Sequence, residues 1–168
     1  MNQVRSSLFV FILFIMLTAA GCSGSENYEA SADVSLCPAE TDFNEQLAEE
    51  LGADDYGMKR YVMAFLKAGP NRDMDETEAM EIQRAHLNNI RRMAEKGDLV
   101  LAGPFMGNGD IRGIYIFNVA TVEEARELTN TDPAVEAGRL EMELHPWYGS
   151  AALIKVNDIH ATISKENP

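Results

Sequence analysis

Apolar and polar positions divide this chain into segments of different period. Residues 8–20 form one uncharged, largely apolar run, and residues 23–55 carry few large apolar side chains. Within the latter stretch only residues 43–51 are spaced for a short helix. Residues 61–66 (Tyr-Val-Met-Ala-Phe-Leu) are apolar on both faces and predict a first strand, broken by Gly69-Pro70-Asn71. Residues 76–96 predict a long helix. At about 100° per residue, Ile82, His86, Ile90 and Met93 fall in one arc with Ala79, Met80, Leu87 and Ala94. Arg84, Asn88, Arg91 and Glu95 fall opposite, the pattern of a helix laid on a sheet, and Gly97 ends it. Residues 99–105 and 111–119 predict a hairpin turning at 107–110. Thr121 and Glu124 fit a capping box for a helix to about residue 128. Asp132-Pro133 opens a helical turn that ends at Gly138. Residues 139–145 predict a fourth strand and residues 151–156 a fifth.

The resulting order, β-α-β-β-α-β, is that of a ferredoxin-like α+β protomer. Two helices cover one face of its sheet. The strands are nevertheless apolar on both faces: Tyr61, Met63 and Phe65 oppose Val62, Ala64 and Leu66, and Tyr115 and Phe117 oppose Ile114 and Ile116. The simplest cover for the second face is the same face of another copy, which predicts a homodimer of the dimeric α+β barrel type.

Charge separates the two parts of the chain. Of a formal net charge of −13, ten acidic residues and no Lys or Arg lie between Ser23 and Asp55. Residues 56–168 carry 17 acidic and 13 basic side chains. The acidity therefore belongs mostly to a tether, and the net charge argues against binding of nucleic acid through a basic patch. The 13-residue run 8–20 has the length of a signal-peptide apolar region and is short for a membrane span. It leads into Ala19-Ala20-Gly21-Cys22, which resembles the lipobox of bacterial lipoproteins. The expectation is a signal peptide over 1–21 and a lipidated Cys22 opening an acidic tether over 22–55. An α+β domain over 56–160 and a tail over 161–168 follow, and the lipid anchors the protein to a membrane of the bacterial cell envelope, periplasmic or outer-membrane associated. Cys37 is then left alone in the tether, so no disulfide, cysteine metal site or cysteine nucleophile follows.

The ordered set formed by residues 61–66, Gln83-Arg84-Ala85-His86-Leu87, residues 97–105, Glu123-Glu124-Ala125 and Thr131-Asp132-Pro133-Ala134-Val135 resembles the YciI-like family of dimeric α+β-barrel proteins. The resemblance spans about residues 58–155. It implies a ferredoxin-like protomer that pairs sheet to sheet and an active-site His–Asp pair, which maps onto His86 and Asp132. Most members have no settled reaction, and some relatives are tied to breakdown of chlorinated aromatic rings. A lipoprotein signal departs from the usual cytoplasmic form.

From the residues alone, His86 reads either as a core histidine with one satisfied hydrogen bond or as a proton donor and acceptor near neutral pH. Asp132 reads as a helix cap before Pro133, as the partner of His86, or as both, since a carboxylate has two oxygens. Glu141, Glu143, His145 and Trp147 share one face of the fourth strand and either line a cleft or meet solvent. Ligands from one strand close no metal site, so no metal is expected. Gly107-Asn108-Gly109 precedes a strand rather than a helix, so no phosphate loop and no cofactor are implied. Three functions remain. One is an enzyme using His86 and Asp132 for general acid–base chemistry on a small organic molecule, cyclic or aromatic, in an apolar cleft. The others are a non-catalytic module holding such a ligand and a structural envelope protein whose dimerisation is its purpose.

Overall fold

The computed structural model describes residues 42–107 and 109–166. The expected signal segment, Cys22, Cys37 and Asn108 lie outside them. Ten elements follow in order: α1 (Glu45–Leu51), β1 (Met58–Ala68), α2 (Glu76–Glu95), β2 (Leu99–Pro104), β3 (Ile111–Phe117), α3 (Val122–Thr129), α4 (Pro133–Glu136), β4 (Leu140–Ser150), a 3-10 turn (Ala151–Lys155) and α5 (Val156–Ile163). The four strands form one antiparallel sheet in the order β2-β3-β1-β4. This is the α+β, ferredoxin-like arrangement expected from the pattern.

Local chemistry sets the helix ends. Asp75 accepts from the Glu78 amide at 2.9 Å and starts α2. Gly97 leaves it with φ +78, a left-handed conformation that a β-carbon disfavours. Thr121 and Glu124 form the expected capping box on α3. Asp132 caps α4, accepting from the Ala134 amide at 2.9 Å.

The helices lie on one sheet face. Val62, Ala64 and Leu66 of β1 and Tyr115 and Phe117 of β3 pack there against Met93 of α2 and Ala125 of α3. Each fully buried side chain of the size of Phe117 contributes about 1.5–3 kcal/mol. The buried stripe of α2 runs through His86, Asn89 and Met93, whereas Met80, placed in the apolar arc by period alone, is exposed. The helix meets the sheet along a line turned towards Asn89, and Met80 stays outside that contact.

Three further expectations change. Residues 42–55, read as tether, belong to the compact unit that begins at Asp42. Asn44 caps α1, Leu51 is buried, and Glu50 pairs with Lys155 at 2.7 Å. The acidic outer face of α1 had the composition of tether. Residues 151–156 are not a fifth strand: the Ser150 side chain accepts from the Ala152 amide and turns the chain into the 3-10 turn and α5. The helix then continues to Ile163, into the stretch read as tail. Finally, the second sheet face is partly covered from within the chain. Leu153 and Ile154 pack with Tyr61, Val100 and Ile116 at one end, while Met63, Phe65 and Ile114 further along remain only half-buried.

Candidate active site

Two backbone features shape a cavity between α2 and the sheet. The chain entering α2 is stitched to the chain leaving α4: the Gly69 amide donates to Arg139 O at 2.8 Å and the Asn71 amide to Gly138 O at 3.0 Å. A β-carbon on Gly69 would lie 2.2 Å from the Gly138 carbonyl oxygen, so only glycine permits this approach. Across the sheet, the β1–β3 register passes from Leu66↔Gly113 to Lys67↔Ile111 and skips Arg112. Arg112, left without a β1 partner by that irregularity, borders the cavity.

The cavity has a volume of about 440 Å³, within the usual range for small-molecule sites. Leu66, Leu87, Ile90 and Leu140 give it an apolar wall, and His86, Tyr115, Arg72, Arg112 and Arg139 supply its polar groups.

His86 and Asp132 meet here. Asp132 is fully buried and His86 is 7% exposed. His86 Nδ1 lies 2.9 and 2.8 Å from the two carboxylate oxygens. An ionised carboxylate only accepts, so Nδ1 carries the proton and the lone pair of a neutral ring sits on Nε2. Tyr115, stacked on the imidazole with ring centroids 6.3 Å apart, brings its hydroxyl 3.4 Å from Nε2. Burial, and after it the negative charge of Asp132, pushes the Tyr115 phenol well above its ordinary value. It therefore stays protonated and can donate. The loop carrying Asp132 is tied back to α2: Arg92 donates to the Asn89 side-chain oxygen and, at 2.8 Å, to the Thr131 hydroxyl. Asn89 is itself buried. These contacts hold the carboxylate in register with the imidazole.

Glu141, Glu143, His145 and Trp147 do not line this cavity. They stand opposite Lys67, Phe65, Met63 and Tyr61 on the other sheet face. His145 Nε2 lies 2.8 Å from Glu143, which also pairs with Lys67 at 3.2 Å. Lys67 first, then His145, holds the Glu143 carboxyl below its ordinary range. Trp147 packs on Tyr61 at 5.8 Å and borders a shallow surface depression with Arg60, Pro146 and Tyr148. Among the described residues no three His, Cys, Asp or Glu side chains are grouped to hold a metal.

The sequence reading missed Tyr115, Asn89 and the three arginines as site residues. Asn89 had a signal, three residues after His86 on the same helix face. Tyr115 had a weak one, a polar-tipped aromatic in an inward register. Arg112 had none, because alternation along β3 sets it with Ile114 and Ile116.

A protein family described as YCII-related domain matches residues 60–148, just over half of the chain. No curated protein matches. Among solved structures, the chain is similar to 5-chloro-2-hydroxyhydroquinone dehydrochlorinase (TftG) from Burkholderia phenoliruptrix AC1100, determined in complex with 2,5-dihydroxybenzoquinone. The identity is 19%, the match covers 51% of this chain and 92% of that one, and the TM-score is 0.39.

Proposed function

The chain belongs to the YCII-related domain family, and from that premise we propose that it is an enzyme in which His86, oriented by Asp132, acts as general base and then general acid on a small organic molecule. The observation that carries this reading is the buried imidazole whose Nδ1 is held by both oxygens of a buried carboxylate. That arrangement fixes the tautomer and leaves Nε2 as the proton acceptor. In the reaction class it suits, Nε2 takes a proton from a carbon or oxygen acid of the ligand, leaving the ligand's electron pair behind. The imidazolium, stabilised by Asp132, returns the proton at the same or another atom. The neutral Tyr115 hydroxyl is a donor for the oxygen on which that electron pair gathers. A non-catalytic small-ligand or structural module would use the same fold without proton transfer.

Deuterium exchange tests the proposal without a known substrate. A panel of small ketones, hydroxy acids and hydroxylated aromatics is followed by proton NMR in heavy water. The protein should accelerate loss of one C–H signal, and His86→Asn should lower that rate by about 10²–10⁴-fold. Exchange at the buffer rate across the panel, or an unchanged rate in His86→Asn, would remove the enzyme reading.

The same protein is proposed to be anchored to the cell envelope through an acylated Cys22, on the strength of the run 8–20 and Ala19-Ala20-Gly21-Cys22. Cys22→Ala should abolish incorporation of radiolabelled palmitate and release the protein from membranes. Labelling at the wild-type level in that variant would refute the anchor.

A further inference from the structure

We infer that the cavity beside His86 takes a carboxylate-bearing ligand, whose charged end is held by Arg112 with Arg72 and Arg139 and whose apolar body lies against Leu66, Leu87, Ile90 and Leu140. This rests on the cavity being the substrate site of the proposed enzyme, and it names the substrate class.

Three arginines border one small cavity, and no Asp or Glu lines it. Among the described residues, no carboxylate forms an ion pair with any of the three. Their contacts go elsewhere: Arg72 Nη1 donates to the Arg139 carbonyl at 3.2 Å, and Arg139 Nη1 reaches the Met74 sulfur at 3.6 Å. Arg112 Nε is buried and has no hydrogen-bond partner at all. Buried donors in folded proteins are almost always satisfied, and a guanidinium cannot give up its proton to relieve the charge. The one buried carboxylate nearby, Asp132, is already engaged by His86 and the Ala134 amide. None of the three guanidinium groups is paired with a carboxylate of the described residues, and Arg112 Nε is the buried donor left without a partner.

The shape of the site selects the anion. A guanidinium presents parallel N–H groups that match the two oxygens of a carboxylate. The Leu66, Leu87, Ile90 and Leu140 side chains that also line the cavity offer no donors, so a fully hydrated anion such as inorganic phosphate would lose water against them without replacement. A compact apolar body carrying one carboxylate satisfies both sides. It also gives the proton chemistry a direction, since arginines beside His86 stabilise negative charge left when Nε2 removes a proton.

Calorimetric titration of the full chain with benzoate, phenylacetate and 4-hydroxybenzoate, each against its amide, tests the inference, with inorganic phosphate as a further arm. At least one carboxylate should bind about tenfold or more tightly than its amide, and more tightly than phosphate. In Arg112→Gln that preference should fall below about threefold with the melting temperature retained. Should Arg112→Gln not fold, Arg72→Gln decides, because Arg72 is exposed in the described structure and its loss leaves the core intact. A reduced preference there supports the inference and an unchanged one overturns it. Equal binding of acids and amides, phosphate binding as tight as the best carboxylate, or a preference that survives in folded Arg112→Gln would each overturn it. His86→Asn should keep the carboxylate preference. A wild-type protein that shows the carboxylate preference but no proton exchange would sink the general-base reading and leave the ligand class standing.

Discussion

The Asp132 carboxylate accepts from the Ala134 amide at the start of α4 and from His86 Nδ1 across the gap to α2. Its two duties separate by substitution. Asp132→Asn keeps a side-chain oxygen for the cap, and Asn caps as well as Asp, but it removes the charge that stabilises the imidazolium. Asp132→Ala also removes the cap, costing about 1 kcal/mol, and leaves buried donors unpaired at about 1–3 kcal/mol each. Both variants should lose exchange activity, while urea denaturation should find Asp132→Ala clearly the less stable. Equal denaturation midpoints would show that the cap contributes nothing here.

Tyr115 offers a pH-dependent test at the same scale. Burial and Asp132 raise its phenol in the folded state. Above about pH 10 the unfolded chain therefore releases this proton while the folded chain keeps it. The unfolded state then binds fewer protons, and stability must fall as pH rises. Tyr115→Phe removes that contribution, so its denaturation midpoint should gain on the wild type between about pH 9 and pH 11. Parallel pH profiles would mean that Tyr115 is not held protonated by the fold. The sequence exposed these residues unevenly. His86 and Asp132 could be named because a helix arc and a cap before proline each mark a position, and a family resemblance joined the two. The roles of Tyr115 and Arg112 follow only from tertiary packing, one through its neighbours and the other through the cavity it borders.

At the scale of elements, period and punctuation were sufficient where each element had its own cap or breaker. α2 lies between Asp75 and Gly97, α3 has its capping box, and α4 begins at Asp132-Pro133; all three formed where expected. The failures share a cause, which is that short runs are decided by what they touch. Ala151-Ala152-Leu153-Ile154 is apolar and short enough to be strand or helix. β4 already pairs with β1 over its whole length, from Leu140↔Ala68 to Ser150↔Met58, so the chain beyond it has no remaining β1 partner. It turns instead and lays Leu153 and Ile154 against Tyr61. α1 was legible as a helix but not as part of the domain, because its attachment depends on Leu51 and on the Glu50–Lys155 pair. The cavity depends equally on contacts that no local pattern encodes, namely the close passage of Gly69 past Gly138 and the β-bulge at Arg112.

At the scale of the molecule, the second sheet face sets the question of assembly. The C-terminal segment covers it at Tyr61, Val100 and Ile116, and Met63, Phe65 and Ile114 continue it half-buried. The Lys67–Glu143–His145 group lies on the same face and gives it a polar margin. An apolar centre with a charged edge is the usual composition of a subunit interface. A two-fold pairing would bring each half-buried stripe onto its copy, and the protein is accordingly proposed to be a homodimer. Two phenylalanines distinguish interface from core. Phe117 is fully buried against Tyr115 on the helix side, so Phe117→Glu should unfold the protomer. Phe65 is half-exposed, so the carboxylate of Phe65→Glu remains hydrated in a monomer and is desolvated only when two copies meet, twice per dimer by symmetry. A chain starting at Asp42 should sediment as a dimer at micromolar concentration. Phe65→Glu should weaken association by about thirtyfold or more, the equivalent of about 2 kcal/mol, with its circular dichroism and melting unchanged at low concentration. A monomeric wild type, or a folded Phe65→Glu that dimerises as tightly, would show that this face is not the seam.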